Sequence, residues 1–296
     1  MPALRDVLTA TSSLRSLVRA SLATRRNLAR HSPHPPDTGL VVDVGGGQAA
    51  DPRADVVVEK YLADDFERSA ARTVDLSRPL VVADGHALPF ADGSYAYAIA
   101  SHVVEHATDP VGFAAELSRV APRGFVQVPS RESEVTFGWD FHPWLIDRDG
   151  DTLVFHGRGD AVAPLGDVFH AAMRDSPLFR LWFAEQRDVW HHSVHWSGRL
   201  DVRVEGGSQA RGTATFDLDA TVAELRRLVA AGRVTGPGAA VQATLRCPAD
   251  HGALTPETDE LACGSCGRRY PVVGDVPLLL EEAARPAAAA RAGSTA

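Results

Sequence analysis

Lysine, methionine and cysteine are all scarce. The chain of 296 residues has one lysine, Lys60, two methionines and three cysteines. Three cysteines are too few for a disulfide framework and point to a reducing compartment. No run of about 18 uninterrupted apolar residues exists, so no transmembrane helix is expected. A basic excess is missing too: the formal net charge is -8, which argues against a dedicated nucleic-acid binder. What remains is ordinary for a folded protein. Hydrophobic residues make up 45% and charged residues 23%, which excludes a fully disordered or collagen-like chain. At this length a domain buries roughly 75% of its unfolded surface. Arginine in place of lysine, with Ala-rich usage, matches a high-GC bacterial genome.

Charge is unevenly placed. Residues 1–30 hold six Arg and one Asp, leaving -13 for the rest. The same stretch has apolar residues at three- and four-residue spacing and reads as a helix over 3–30 packed on the main domain. Its Arg-rich, acid-poor character also fits a transit peptide. Three prolines between His31 and Gly39 mark a linker.

Short apolar runs then follow at Leu40–Val44, Val56–Val58, Leu80–Ala83, Tyr95–Ser101 and Gly124–Val128, each the pattern of a buried parallel strand. Asp109-Pro110 opens a helix over 109–120 as N-cap and N1 residues. Strands alternating with helical or loop segments imply an α/β parallel sheet. Beyond Arg131, strands are expected at Leu153–His156 and Arg199–Glu205, a β-hairpin over Val189–Arg203, partial helix over Asp160–Ala184 and a helix at Val222–Ala231. The expected organisation is an N-terminal helical segment and linker (1–37) and a main domain (38–240) with an insert over about 131–217. A cysteine-bearing module (244–281) and a disordered tail (282–296) complete it.

Asp43-Val44-Gly45-Gly46-Gly47 follows the first strand directly. Glycines at a strand end let a ligand approach the backbone at the carboxyl edge of the sheet. Gly45-x-Gly47-x-x-Ala50 also fits the dinucleotide fingerprint. That fingerprint requires a crossover helix, however, and only residues 48–55 separate the glycines from the next strand. Glu59 comes too early to be the acid of a dinucleotide site.

Five blocks carry a more specific signal: VVDVGGG (41–47), VVVEKY (56–61), VVADGHALPFADGSY (81–95), ASHVVEHATDP (100–110) and GFVQVPS (124–130). Over residues 38–130 the chain resembles class I S-adenosylmethionine (SAM)-dependent methyltransferases of the small-molecule, methyltransferase domain 11-like type. The resemblance implies a Rossmann-like α/β sheet with helices on both faces and SAM as cofactor. It also implies roles. Asp43 organises the methionine end, Gly45, Gly46 and Gly47 let SAM lie over the backbone, and Glu59 accepts from both ribose hydroxyls. Asp84 receives the adenine amino group, with Gly85 and His86 beside it, and Ser101 and His102 adjoin the transferable methyl. The chemistry is consistent: a carboxylate offers two acceptor oxygens to a diol, and acids suit a cationic sulfonium. Two departures stand out: the segment after Gly47 is shortened, and Tyr95-Ala96 replaces the family's Phe-Asp pair.

Methyl transfer is an in-line displacement that needs proximity and, for an oxygen or nitrogen nucleophile, sometimes a base. His102, Glu105, His106 and His142 are near the methyl on this reading, and His102 and His142 are the candidate catalytic residues. Two aromatic-rich stretches, a loop over Trp139–Trp144 after the fifth strand and a second over Trp182–Trp196, suit the walls of a small-ligand pocket or packing against the sheet.

Cys247-Pro-Ala-Asp250 and Cys263-Gly-Ser-Cys266-Gly-Arg-Arg-Tyr270-Pro resemble a zinc ribbon with one cysteine replaced. The resemblance implies a small β module and zinc held by Cys247, Cys263, Cys266 and either Asp250 or His251. A ribbon that has lost its metal is the alternative. Such ribbons occur in some ribosomal-RNA methyltransferases and in partner subunits of tRNA and protein methyltransferases.

The reading is therefore a bacterial, cytoplasmic, SAM-dependent methyltransferase acting on oxygen or nitrogen of a small-molecule acceptor in specialised metabolism. It has no membrane or nucleic-acid partner, and a homodimer is left open. The alternatives are a non-catalytic methyltransferase-like scaffold, an RNA or protein methyltransferase docking through the ribbon, and SAM chemistry other than methylation.

Overall fold

The computed structural model describes residues 28–47, 49–64, 74–159, 163–207 and 216–285. Most of the expected N-terminal helix lies outside them; Leu28–Arg30 are helical. His31 is no part of a loose linker. It is buried, with Nδ1 2.7 Å from Ser193 Oγ and Nε2 3.0 Å from Asp188.

Thirteen strands are present among the described residues. In chain order they are β1 (Val41–Val44), β2 (Val56–Glu59), β3 (Leu80–Ala83), β4 (Tyr97–Ser101), β5 (Arg123–Pro129), β6 (Trp144–Asp149) and β7 (Thr152–Gly157). Then come β8 (His191–Ser197), β9 (Val202–Glu205), β10 (Leu254–Pro256), β11 (Glu260–Cys263), β12 (Arg269–Val273) and β13 (Val276–Leu279). Ten of them form one sheet in the order β10-β11-β12-β13-β3-β2-β1-β4-β5-β8. From β13 to β5 the pairings are parallel, and β8 closes the far edge antiparallel to β5.

The central strands are apolar throughout because both faces are covered. Val56, Val58, Val81 and Ala83 face a layer that includes Phe113 and Leu117 of the helix Pro110–Val120. Val57, Leu80 and Val82 face the other layer, with Leu225 and Leu228 of the helix Leu218–Ala230. The first helix starts as expected, with Asp109 accepting from the Gly112 N–H at 3.0 Å and Pro110 behind it. Each fully buried Leu contributes roughly 1.5–3 kcal/mol of transfer free energy.

Four expectations are corrected. Val189–Arg203 is not a hairpin: β8 pairs along its whole length with β5, while β9 joins β6 and β7 in a separate sheet. Gly124 of β5 leaves room for this, since a Cβ there would lie 2.1 Å from the Trp196 ring. Trp144 is not a loop residue but opens β6, its Nε1 donating to the Ala107 carbonyl at 2.8 Å. The cysteine module is not a separate unit either. Its last strand, β13, extends the main sheet beside β3, and Cys247, Cys263 and Tyr270 share a core with Leu88 and Phe90. Finally, the tail does not begin at residue 282: Glu281–Ala283 form a 3₁₀ turn and Arg285 bridges to Arg269.

Candidate active site

The parallel strands β1 to β4 all end on one sheet edge, where α/β folds bind ligands. Asp43 sits just inside the end of β1, Glu59 ends β2, Asp84 follows β3 and Ser101 ends β4. These residues line one cavity of about 640 Å³, as do Gly45, Gly46, Gly47, Gly85, His86 and His102. Every residue that the resemblance assigns to the cofactor is thus on its wall.

The glycines have geometric reasons. Gly45 has φ +68°, its N–H donates to the Val58 carbonyl at 2.8 Å, and a Cβ there would lie 2.4 Å from Val103. Gly47 has φ +52°. Among the described residues no helix follows β1, and the chain turns directly to β2. Asp43 Oδ2 accepts the Asp51 N–H at 2.8 Å in that turn. Its Oδ1 is buried without a hydrogen-bond partner. Burial pushes the Asp43 carboxyl up to about 7, and Asp51, Glu59 and Asp75 add to the push. An orphaned buried carboxylate oxygen on the cavity wall suits a cationic or donor-bearing ligand.

Glu59 accepts the Tyr61 N–H at 3.2 Å. Asp84 is more heavily engaged than the sequence suggested. Its Oδ1 lies 2.8 Å from both the N–H and Nδ1 of His86, and its Oδ2 accepts from Lys60 at 2.7 Å. Burial opposes ionisation, but the bonds from His86 and Lys60 hold the Asp84 carboxyl well below the usual range. Oδ2 keeps one lone-pair direction for a ligand.

The other end of the cavity is crowded with imidazoles and carboxylates. His102 adopts a left-handed backbone, φ +55°, a conformation uncommon among residues other than glycine. Its ring is held between Glu105 (Nδ1 to Oε1, 3.3 Å) and Gln127 (Nε2 to Oε1, 3.1 Å). Burial opposes a charge on His102, while Glu105 raises its pKa. His142 Nδ1 lies 2.5 Å from Glu134 Oε1, and Arg158 donates to Glu134 Oε2 at 2.9 Å. Burial lowers His142 to about 4. Both candidate bases therefore reach the cavity with one ring nitrogen already turned to a carboxylate. Glu134, Gln127 and Lys60 carried no sequence signal for these supporting roles. Of the two aromatic stretches, Trp139, Phe141 and Phe183 line the cavity, joined by Met173, whereas Trp190 and Trp196 are buried in packing.

In the C-terminal module Cys247, Asp250, Cys263 and Cys266 bring their ligand atoms within 4.8 Å of one another. Cys247 Sγ is 3.7 Å from Cys266 Sγ, near the ~3.8 Å expected between thiolates on one tetrahedral zinc. Of the two residues offered for the fourth position, the structure brings in Asp250, whose Oδ1 is 3.3 Å from Cys263 Sγ. His251 is exposed with φ +54° and stands outside the group.

Residues 42–127 match the family model described as a methyltransferase domain, and residues 243–275 match the Trm112p-like protein model. Residues 42–127 thus match a methyltransferase domain. It lies on the strands that build the cavity, and the Trm112p-like match covers the zinc-ribbon-type module. No curated protein matches the chain. Among solved structures, one of a candidate methyltransferase from Bacillus halodurans is 18% identical over 36% of this chain and 51% of its own, TM-score 0.26. A SAM-dependent methyltransferase from Mesorhizobium loti is 19% identical over 40% and 56%, TM-score 0.25. A complex of the Haloferax volcanii Trm112 methyltransferase activator with a candidate methyltransferase gives 15% identity over 67% and 99%, TM-score 0.35. The chain spans about half the length of the Bacillus halodurans protein. No described helix is long and apolar enough to cross a membrane.

Proposed function

We propose that this methyltransferase domain transfers the methyl group of SAM to oxygen or nitrogen of a small molecule, in the cytoplasm and in specialised metabolism. The observation that carries the reading is a single cavity with two chemically different ends. One end has the glycine turn and the carboxylates Asp43, Glu59 and Asp84; the other has the aromatic wall of Trp139, Phe141 and Phe183. Aromatic rings with polar groups set among them suit a small acceptor, the rings packing against it and the imidazoles and carboxylates orienting it.

SAM supplies an activated methyl on a sulfonium, so the protein's task is binding, alignment and control of protons. The orphaned Oδ1 of Asp43 accepts from the methionine end, and Gly45, Gly46 and Gly47 clear the path over the backbone. Glu59 takes the ribose hydroxyls, and Asp84, with Gly85 and His86, takes the adenine amino group. Ser101 and His102 stand at the methyl. His142 and His102 are the candidates to receive an acceptor proton. The thiol cluster with Asp250 is read as a structural zinc site, since three soft ligands and a carboxylate suit that ion.

A second reading rests on the Trm112p-like match over residues 243–275. Here the module acts in the same chain as an activator does in a complex, and the acceptor is a protein or RNA docked through it. The extension of the main sheet by β13 favours a stabilising role for the module.

Isotope-labelled SAM, the protein and a cell extract divided by ultrafiltration separate the readings. Label appearing on a small molecule separated by chromatography from SAM itself is expected. Label confined to protein or RNA overturns the small-molecule reading, and no label with either fraction favours the scaffold. Calorimetric titration of SAM against wild type and Glu59→Ala checks the cofactor assignment independently, with binding in the first and a marked loss in the second expected.

A further inference from the structure

The buried carboxylate Glu105 has an oxygen that nothing in the described site uses. Its Oε1 faces His102 at 3.3 Å, but Oε2 is buried with no hydrogen-bond partner. Glu105 is 1% exposed, yet it lines the cavity. An unpaired buried carboxylate oxygen costs roughly 1–3 kcal/mol or more unless a partner arrives. Two imidazoles converge on the same point. Glu105, His106 and His142 bring one ligand atom each within 4.8 Å of one another, and all three line the cavity.

We infer that Glu105, His106 and His142 form a divalent-cation site at the acceptor end of the cleft, with its remaining coordination positions open to the cavity. Two imidazoles and one carboxylate on one side of an open space are the donor set that first-row divalent ions such as Mn²⁺, Fe²⁺ and Zn²⁺ accept. With bonds of about 2.0–2.2 Å, ligand atoms around such an ion lie ~3 Å apart at right angles and ~4.3 Å apart when opposite. Atoms that all lie within 4.8 Å of one another approach that span.

The surrounding residues support each ligand. Glu134 Oε1 lies 2.5 Å from His142 Nδ1, and with the proton on Nδ1 this leaves Nε2 bare for a metal. Arg158 donates to Glu134 Oε2 and so holds that carboxyl group against His142. His102 holds Glu105 Oε1, which aims Oε2. The aromatic ring of Phe141 stacks on His106 with centroids 5.7 Å apart and fixes its plane. A cation here would acidify a hydroxyl bound to it, as zinc acidifies its bound water; His142 then serves as a ligand instead of the base, and His102 stays the candidate to take the proton. That consequence rests on the methyl-transfer reading; the cation site does not.

The test uses the full chain with Mn²⁺ alone, without SAM or acceptor, followed by loss of the free-ion electron paramagnetic resonance signal. Wild type is expected to bind about one Mn²⁺ per chain. Glu105→Gln and His142→Gln are expected to weaken binding by at least about tenfold, the lower end of what supporting changes alone cost at metal sites. Cys266→Ser and Glu59→Ala should bind as wild type, because Mn²⁺ disfavours thiolate sites and Glu59 serves the cofactor end. Wild type that leaves the free signal unreduced overturns the inference, as does equal binding by His142→Gln. If circular dichroism finds either variant unfolded, His106→Gln is judged in its place by the same criterion. SAM binding measured on the same samples shows separately whether the cofactor reading stands.

Discussion

Glu282, just beyond the last strand of the C-terminal module, brings Oε1 to 3.1 Å from Nζ of Lys60, the residue after Glu59. Lys60 in turn donates to Asp84 Oδ2 at 2.7 Å. The chain's single lysine therefore links the module to Asp84, the carboxylate assigned to the adenine. Its side chain is 18% exposed, against 45% for Glu282, so the two ion pairs are not equivalent.

Lys60→Met and Glu282→Ala should separate them. Loss of the half-exposed Glu282 pair is worth only about 0.2–1 kcal/mol of stability. Loss of Lys60 leaves a largely buried Asp84 oxygen without its donor and should cost about 1–3 kcal/mol. The expected result is a SAM dissociation constant raised roughly five- to tenfold in Lys60→Met, about 1–1.4 kcal/mol, and changed less than about twofold in Glu282→Ala. Calorimetry on both variants checks this, and Lys60→Met binding SAM like wild type would remove Lys60 from the site's support.

Asp43 gives a pH dependence with a definite sign. Burial raises its folded-state carboxyl to about 7, above the unfolded value near 3.9. Between those values the folded chain holds more protons than the unfolded one. The stability contribution of Asp43 is therefore fully present below pH ~4 and is lost as pH rises toward 7. Asp43→Asn removes that slope and should be the more stable protein at pH 8, by about 1–3 kcal/mol. A cationic ligand favours the ionised carboxylate, so SAM binding near pH 7 should release a proton in wild type and none in Asp43→Asn. Calorimetry in two buffers of different ionisation enthalpy reads this release. A buffer-independent enthalpy in wild type would contradict the assignment.

The sheet and the cofactor end were legible because each depends on local sequence. A short β-branched run such as Val56–Val58 bounded by turn residues reads as a doubly covered strand, and glycines and acids at strand ends are fixed in place once the strands are. Proline at the helix start and Asp109 as its cap acted within four residues of chain. The acceptor end resisted because its groups come from distant stretches. Glu134 meets His142 and Arg158 across a helix, a loop and a strand end, and no spacing announces that meeting. β8 and β9 misled for a related reason: consecutive strands suggest a hairpin, but the room beside Gly124 drew β8 to β5 instead. The ribbon was visible from its cysteines, whereas its place in the main sheet was not, because β13 shows only apolar residues that fit many partners.

That placement leads to the last prediction. β13 pairs with β3 through Leu278 and Leu279, and Cys247, Cys263 and Tyr270 belong to the same core as the methyltransferase domain. A module so joined should not melt by itself. Differential scanning calorimetry is expected to give one cooperative transition, and metal analysis about one zinc per chain, held by Cys247, Cys263, Cys266 and Asp250. An ion present at ~100 times its dissociation constant stabilises the folded state by about 2.7 kcal/mol. At 2–4 °C per kcal/mol for a domain of this class, chelation should lower the midpoint of the whole transition by roughly 5–10 °C. Asp250→Ala should melt near the chelated midpoint before any chelator is added. Two resolved transitions, or less than about a quarter mole of zinc per chain with no shift on chelation, would show that the ribbon stabilises the sheet through its strand alone.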